Sequence, residues 1–353
     1  MTSEIPAPPL EILVVDDNED DVLLLQESLR DLPTVSLVHA VHDGEEALTF
    51  LRREGQYAGT ARPALVLLDI NMPKKNGFEV LAEMKNDPLL RTIPVVMLTT
   101  SNRDADVMAA YGSGACSFVT KPVNFDRLKL IAEHFVCYWT MVVQVPRCAP
   151  AVAAGQEPCP PQAASGEPPA PPFFSKSDSF NQTVRVPSSG RLQVMADGLN
   201  PQPIEILLVD DNDDDVVLLE ESFKDSRFLN LLQVVHDGHE ALAYLRREEP
   251  YKSARTPGLV LLDINMPKMN GFEVLQAMKA DPQLRTIPVV MLTTSTRDED
   301  VARSYDGGAC SFVSKPVNLE KLKEVIKQFA LYWTLVSVVP QPRPSTEPKS
   351  EFA

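Results

Sequence analysis

Residues 65–74 read LVLLDINMPK, and residues 259–268 read the same ten letters. The opening LVLL is a short apolar run of the kind that forms a strand buried on both faces. A strand core can vary as long as it stays apolar. An identical Asp-Ile-Asn-Met-Pro exit therefore places the constraint at the end of the strand. Further landmarks pair at the same offset: Asp16 with Asp210, Asp17 with Asp211, Thr99 with Thr293 and Lys121 with Lys315, each 194 positions apart. About three in five residues agree between Glu11–Thr140 and Glu205–Thr334. A unit this long exceeds the ~20–50 residues of a solenoid repeat. The 353 residues thus divide into two copies of one domain, 10–145 and 204–339. Between them, 146–203 is rich in Pro, Ala, Gly and Ser without an apolar period, which predicts a disordered linker. Residues 340–353 read as a disordered polar tail.

Composition removes several function classes. The formal net charge is −16, and no basic run offers a phosphate-binding face, so nucleic acid is not expected as a partner. The N-terminal MTSEIPAPPLEILVV lacks the basic and long apolar regions of a signal peptide. No apolar run approaches the ~20 residues that span a bilayer, so no membrane association is expected and the protein should be soluble and cytoplasmic. The five cysteines, Cys116, Cys137, Cys148, Cys159 and Cys310, are odd in number and match no metal spacing. They read as small buried hydrophobes in a reducing compartment.

Within the first copy, EILVV (11–15), Val35 to Val41, ALVLL (64–68), Ile93 to Leu98 and CSFV (116–119) read as strands. Helices are expected from Asp20 to Leu29, after a cap at Asp43, from Asn76 to Met84, from Arg103 to Tyr111 and after a cap at Asn124. Five strands alternating with five helices build a parallel sheet covered on both faces, an α/β domain. In such sheets ligands bind beyond the carboxyl ends of the strands. Asp16 and Asp17 follow strand one, Asp69 strand three, Thr99 strand four and Lys121 strand five. The topology gathers three carboxylates, a hydroxyl and an ammonium in one crevice. Carboxylates this close repel unless a cation joins them, and hard oxygen ligands around an open site suit Mg²⁺. An ionised Asp69 could then attack phosphorus, since aspartyl phosphates are established nucleophilic intermediates.

VVDDN, LLDINMP, MLTTS and FVTKP, in this order and twice over, resemble the receiver domain of two-component response regulators. The resemblance implies a flavodoxin-like (βα)5 fold with strand order 2-1-3-4-5. It implies that Asp69 and Asp263 are phosphoacceptors. Asp17 and Asp211 would bind Mg²⁺ directly, Asp16 and Asp210 partly through water, and the carbonyls of Asn71 and Asn265 would complete the metal site. Thr99 and Thr293 would sense the phosphoryl group, Lys121 and Lys315 would pair with it, and the bonds to Pro122 and Pro316 are expected to be cis. Phe118 and Phe312 fill the aromatic switch position, where many relatives have Tyr. The extended middle and the YWT segments at Tyr138-Trp139-Thr140 and Tyr332-Trp333-Thr334 resemble single-domain regulators that partner bacterial phytochromes and related sensor kinases. The expected partner is a sensor histidine kinase or a phosphotransfer protein. No output domain is expected, and no enzymatic turnover beyond slow self-dephosphorylation.

Blander readings exist for each feature. An Asp-Asp pair after a strand can simply cap a helix. Asn76-Gly77 and Asn270-Gly271 read as turn chemistry, and His42 and His236 as loop residues. His134 could mimic a phosphotransfer histidine, but Gln328 stands in its place in the second copy. Trp139 and Trp333 either pack on their own domain or build a receiver–receiver surface, within the chain or between chains. A scaffold that takes no phosphoryl group is the alternative function. An aspartate-dependent phosphatase is disfavoured, because Asn71 and Asn265 stand where a second acid would protonate the leaving group.

Overall fold

The computed structural model describes residues 10–30, 35–101, 103–122, 125–146, 204–224, 231–295, 297–316 and 318–340. The expected caps at Asn124, the linker beyond 146, the tail beyond 340, and Cys148 and Cys159 lie outside them. The first copy forms β1 (Leu10–Val15), α1 (Glu19–Arg30), β2 (Val35–Val41), α2 (Gly44–Arg52), β3 (Leu65–Leu68), α3 (Gly77–Asn86), β4 (Val95–Thr99), α4 (Asp104–Gly112), β5 (Ser117–Thr120) and α5 (Phe125–Cys137). The second forms β6 (Glu205–Val209), α6 (Asp213–Lys224), β7 (Leu231–Val235), α7 (Gly238–Arg246), β8 (Leu259–Leu262), α8 (Gly271–Ala280), β9 (Val289–Thr293), α9 (Asp298–Asp306), β10 (Ser311–Ser314) and α10 (Leu319–Leu331). Each sheet is parallel, in the orders β2-β1-β3-β4-β5 and β7-β6-β8-β9-β10. This is the flavodoxin-like order, with its switch point between the first and third strands of each copy.

Local chemistry sets the boundaries. Asp43 accepts from the amides of Glu45 and Glu46 at the start of α2. Asn76 and Glu79 close a reciprocal capping box on α3, repeated by Asn270 and Glu273 on α8. α1 is capped by Asn18, whose side chain accepts from Asp20 and Asp21, and Asn212 does the same for α6. The Asp-Asp pairs are thereby released from capping. Central strands β3 and β8 are buried at every position, as parallel strands covered on both faces must be.

The two copies pack together as parts of one compact unit. After α5 the chain makes a π-turn at Tyr138–Val142, and after α10 an equivalent one at Tyr332–Val336. These turns meet. The rings of Tyr138 and Tyr332 stack at 3.9 Å with planes 6° apart. Trp139 Nε1 donates to the Tyr332 hydroxyl at 3.1 Å, and Trp333 Nε1 donates to the Tyr138 hydroxyl at 3.0 Å. Each chain segment then crosses to the edge strand of the other copy. Gln144 N donates to Phe312 O at 2.8 Å, and Val338 N to Phe118 O at 2.7 Å. The edge strands β5 and β10 each receive one such segment, which covers part of an otherwise open sheet edge. The buried thiols of Cys116 and Cys310 lie against the carbonyls of Ala309 and Ala115 across the same seam. Burial pushes the Cys310 thiol up to about 12, so it packs as an unreactive hydrophobe.

His134 of α5 is only 1% exposed, and neither ring nitrogen has a hydrogen-bond partner among the described residues. Burial, reinforced by Lys327 and partly opposed by the Gln328 amide, pushes its pKa below 6.5. A histidine lowered by folding supports stability above 6.5 and withdraws that support as pH falls through the window beneath it. Urea midpoints at about pH 7.5 and 5.5 should therefore drop further for the wild type than for His134→Gln. Equal drops would show that His134 is not the titrating group.

Candidate functional site

The carboxyl ends of β1, β3, β4 and β5 converge on one crevice. Asp16 and Asp69 are 2% and 5% exposed, and Thr99 is fully buried. Lys121 Nζ lies 2.6 Å from Asp16 Oδ2 and 3.0 Å from Asp69 Oδ1. A third carboxylate, Asp21 on α1, is 3.0 Å from the same nitrogen. The second crevice repeats this, with Lys315 Nζ at 2.7 Å from Asp210, 2.8 Å from Asp263 and 3.0 Å from Asp215. In each crevice one lysine ammonium thus lies within ion-pair distance of three carboxylates. Asp21 and Asp215 were not among the residues expected from the sequence. Their signal was the acidic first turn of each helix, which reads as ordinary helix-dipole chemistry.

Burial raises the pKa of Asp16 and Asp69, with Lys121 opposing the rise. Asp210 is raised in the same way against Lys315. Burial disfavours the Lys121 ammonium, but Asp16, Asp69 and Asp21 outweigh it and raise its pKa above the ordinary lysine value. Lys315 is raised likewise by Asp263 and Asp210. Both lysines stay charged at neutral pH.

Asp69 is also fixed by its own loop. Asn71 N donates to Asp69 Oδ2 at 2.6 Å, and Asn265 N to Asp263 Oδ2 at the same distance. The loop folds back so that Gly77 N donates to Ile70 O. A Cβ at Gly77 would stand 2.2 Å from the Asp69 carbonyl oxygen, so only glycine allows this approach. Lys74 and Lys268 adopt left-handed backbone at φ 63° and 67°, a local strain held in the same loop of both copies. Their ammonium groups reach Asp43 at 2.5 Å and Asp237 at 3.0 Å.

Asp17 and Asp211 are exposed at the mouths of the crevices, as are Asn71 and Asn265. Thr99 Oγ1 accepts from Ser101 N, and Thr293 Oγ1 from Ser295 N, both at 3.1 Å. Phe118 and Phe312 are fully buried, and their carbonyls receive the crossing segments described above. The bonds to Pro122 and Pro316 are trans, contrary to expectation. Among the described residues the cis bond is Glu249–Pro250. Trans is the ordinary preference even before proline, and with it Lys121 already reaches its carboxylates. Among the described residues, no three carboxylate, imidazole or thiolate groups are arranged to hold a metal ion. The donor chemistry nonetheless fits a hard divalent cation, since each crevice offers oxygen ligands alone. Lys121 contacts one oxygen each of Asp16 and Asp69, and Asp17 is exposed at the mouth.

The model of the response regulator receiver domain family matches residues 12–133 and 206–327. The chain belongs to that family, as a tandem of two receivers of two-component signalling. Among its relatives, response regulator Rcp1 of Synechocystis is 40% identical over 139 residues, 39% of this chain and 95% of that protein. Response regulator PleD of Caulobacter vibrioides is 25% identical over 326 residues, 90% of this chain but 58% of that protein. Among solved structures, the phosphorylated cyanobacterial phytochrome response regulator RcpA is 41% identical. It covers 39% of this chain and 99% of its own, with a TM-score of 0.38. No helix among the described residues is long and apolar enough to cross a membrane.

Proposed function

We propose that each receiver accepts a phosphoryl group on its buried aspartate, Asp69 or Asp263, from a phosphohistidine of a sensor kinase or phosphotransfer protein. The observation that carries this reading is the twice-built crevice in which a charged lysine faces the acceptor carboxylate at 3.0 and 2.8 Å. A carboxylate oxygen of Asp69 forms the new bond to phosphorus as the phosphorus–nitrogen bond breaks, and the imidazole nitrogen keeps the bonding pair. Lys121 then balances charge on the transferred group, as a preorganised donor in a water-poor site. Thr99 supplies a hydroxyl at the same strand ends. Asp17, Asp69 and the Asn71 carbonyl would hold Mg²⁺, with Asp16 assisting, and the second set is Asp211, Asp263, Asn265 and Asp210. When bound, the ion neutralises phosphoryl oxygens and keeps Asp69 ionised.

The acyl phosphate shifts a two-state equilibrium read by protein contacts. The receivers act as phosphoacceptors with slow self-hydrolysis and not as turnover enzymes, in the cytoplasm where such kinases present their phosphohistidine. Phosphoramidate, whose phosphorus–nitrogen bond matches phosphohistidine, tests the reading. Uptake should require Mg²⁺, stop with EDTA and be released by hydroxylamine, as an acyl phosphate is. No uptake under these conditions would favour a scaffold role.

A further inference from the structure

The two crossing segments are alike in backbone and different in chemistry. In both, an amide reaches the switch-strand carbonyl, and a tyrosine hydroxyl from the receiving copy binds the same residue's carbonyl. Tyr305 donates to Gln144 O at 3.1 Å, and Tyr111 to Val338 O at 3.0 Å. The second segment places its hydroxyl one residue earlier, where Ser337 bonds Ser117 Oγ at the start of β5 and the Tyr111 hydroxyl, far from the strand end that carries Lys121. Only the first segment carries a polar side chain opposite the strand end. Gln144 Nε2 donates to Ser314 Oγ at 2.7 Å, and Val143 forms an antiparallel bridge to Val313. The equivalent Val338 has no donor to offer Thr120, the residue matching Ser314.

Ser314 ends β10 and is followed directly by Lys315, whose amide is tied to Thr293 O at 2.7 Å. That short span carries the ammonium facing Asp263. A side chain belonging to the first receiver therefore holds the strand end from which the second receiver's lysine projects.

We propose that Gln144 is a positioning residue for the second receiver, fixing Ser314 and through it Lys315, so that phosphoryl acceptance at Asp263 depends on the first receiver in a way acceptance at Asp69 does not depend on the second. The inference rests on the phosphoacceptor reading given above. Its physical basis is preorganisation: a donor held in place before charge develops costs no rearrangement when it does. The contact is a hydrogen bond between neutral groups, and the backbone contacts of the segment survive its loss. The effect should be on the placement of Lys315 and not on assembly of the two copies.

The test uses the full chain with both acceptors intact, Mg²⁺ and acetyl phosphate, and reads each site separately by peptide mass spectrometry. Gln144→Val, which copies the second segment, should slow acceptance at Asp263 about threefold or more and leave Asp69 within error. Ser314→Ala should do the same. The double variant should be no slower than either single one, because both remove one contact. Gln144→Asn, with a shorter side chain, should not restore the rate, whereas Val338→Gln should leave Asp263 untouched. Equal slowing of both sites, or an unchanged Asp263 rate, would overturn the inference. Failure of the wild type to label at either site would overturn the phosphoacceptor reading itself, a separately visible result.

Discussion

Tyr138→Ala will lower the stability of the chain more than any surface substitution and will separate the two receivers. Tyr138 is fully buried, stacks on Tyr332 and accepts from Trp333 Nε1. Its hydroxyl also donates to Ser311 Oγ at 2.9 Å. Truncating a buried aromatic to alanine costs about 3–5 kcal/mol, and a buried indole N–H left without its acceptor adds about 1–3 kcal/mol. Tyr138→Phe keeps the ring and should cost only the second of these. Denaturant midpoints give the order of the three proteins. Small-angle scattering should show the alanine variant as two separated bodies and the phenylalanine variant as one. An alanine variant as compact and stable as the wild type would mean that the seam between the copies is not held by these rings.

Lys121→Met will leave Asp16 and Asp69 facing each other without their shared cation. Breaking a buried ion pair costs about 3–5 kcal/mol. The crevice is open on the side of Asp21, whose side chain is 34% exposed, so a discounted cost of about 2–3 kcal/mol is expected. The pH dependence carries a definite sign. Without the ammonium, burial raises both carboxylate pKa values further, so the folded state takes up protons more readily than the unfolded chain. The variant's deficit should therefore shrink as pH falls and grow as pH rises. On the same basis, acceptance at Asp69 should fall roughly ten- to hundredfold while Asp263 keeps its rate. A deficit that grows on acidification would contradict the ion-pair account.

Much of this arrangement was readable from residues alone, for identifiable reasons. Strand–helix alternation fixes a parallel sheet, and a parallel sheet gathers its strand ends. Asp16, Asp69, Thr99 and Lys121 could be brought together without coordinates because each directly follows, or ends, an apolar run. Side-chain choice within the crevice was less accessible. Nothing in the letters distinguishes Asp21 from its neighbours in an acidic first turn, although its position on α1 aims it at Lys121. Clustering of the carboxylates was legible from their positions after apolar strands, whereas the approach of the Lys121 ammonium to both Asp16 and Asp69 is a side-chain matter. The trans bonds before Pro122 and Pro316 depend on backbone context that no local motif encodes. The YWT segments signalled aromatic packing, either on their own domain or between receivers, and the Tyr138–Tyr332 stack lies between receivers. The reciprocal Trp–Tyr bonds and the exchange of segments between sheet edges are tertiary, set by how two amphipathic helix ends meet. The Gln144–Ser314 contact appears only after that meeting.

The central claim is that both buried aspartates are phosphoacceptors. Intact mass after incubation with acetyl phosphate and Mg²⁺ tests it most directly, on the wild type, Asp69→Asn, Asp263→Asn and the double variant. The account predicts two phosphoryl groups on the wild type, one on each single variant and none on the double variant. Label that persists on the double variant, or a wild type that takes up none, would contradict it.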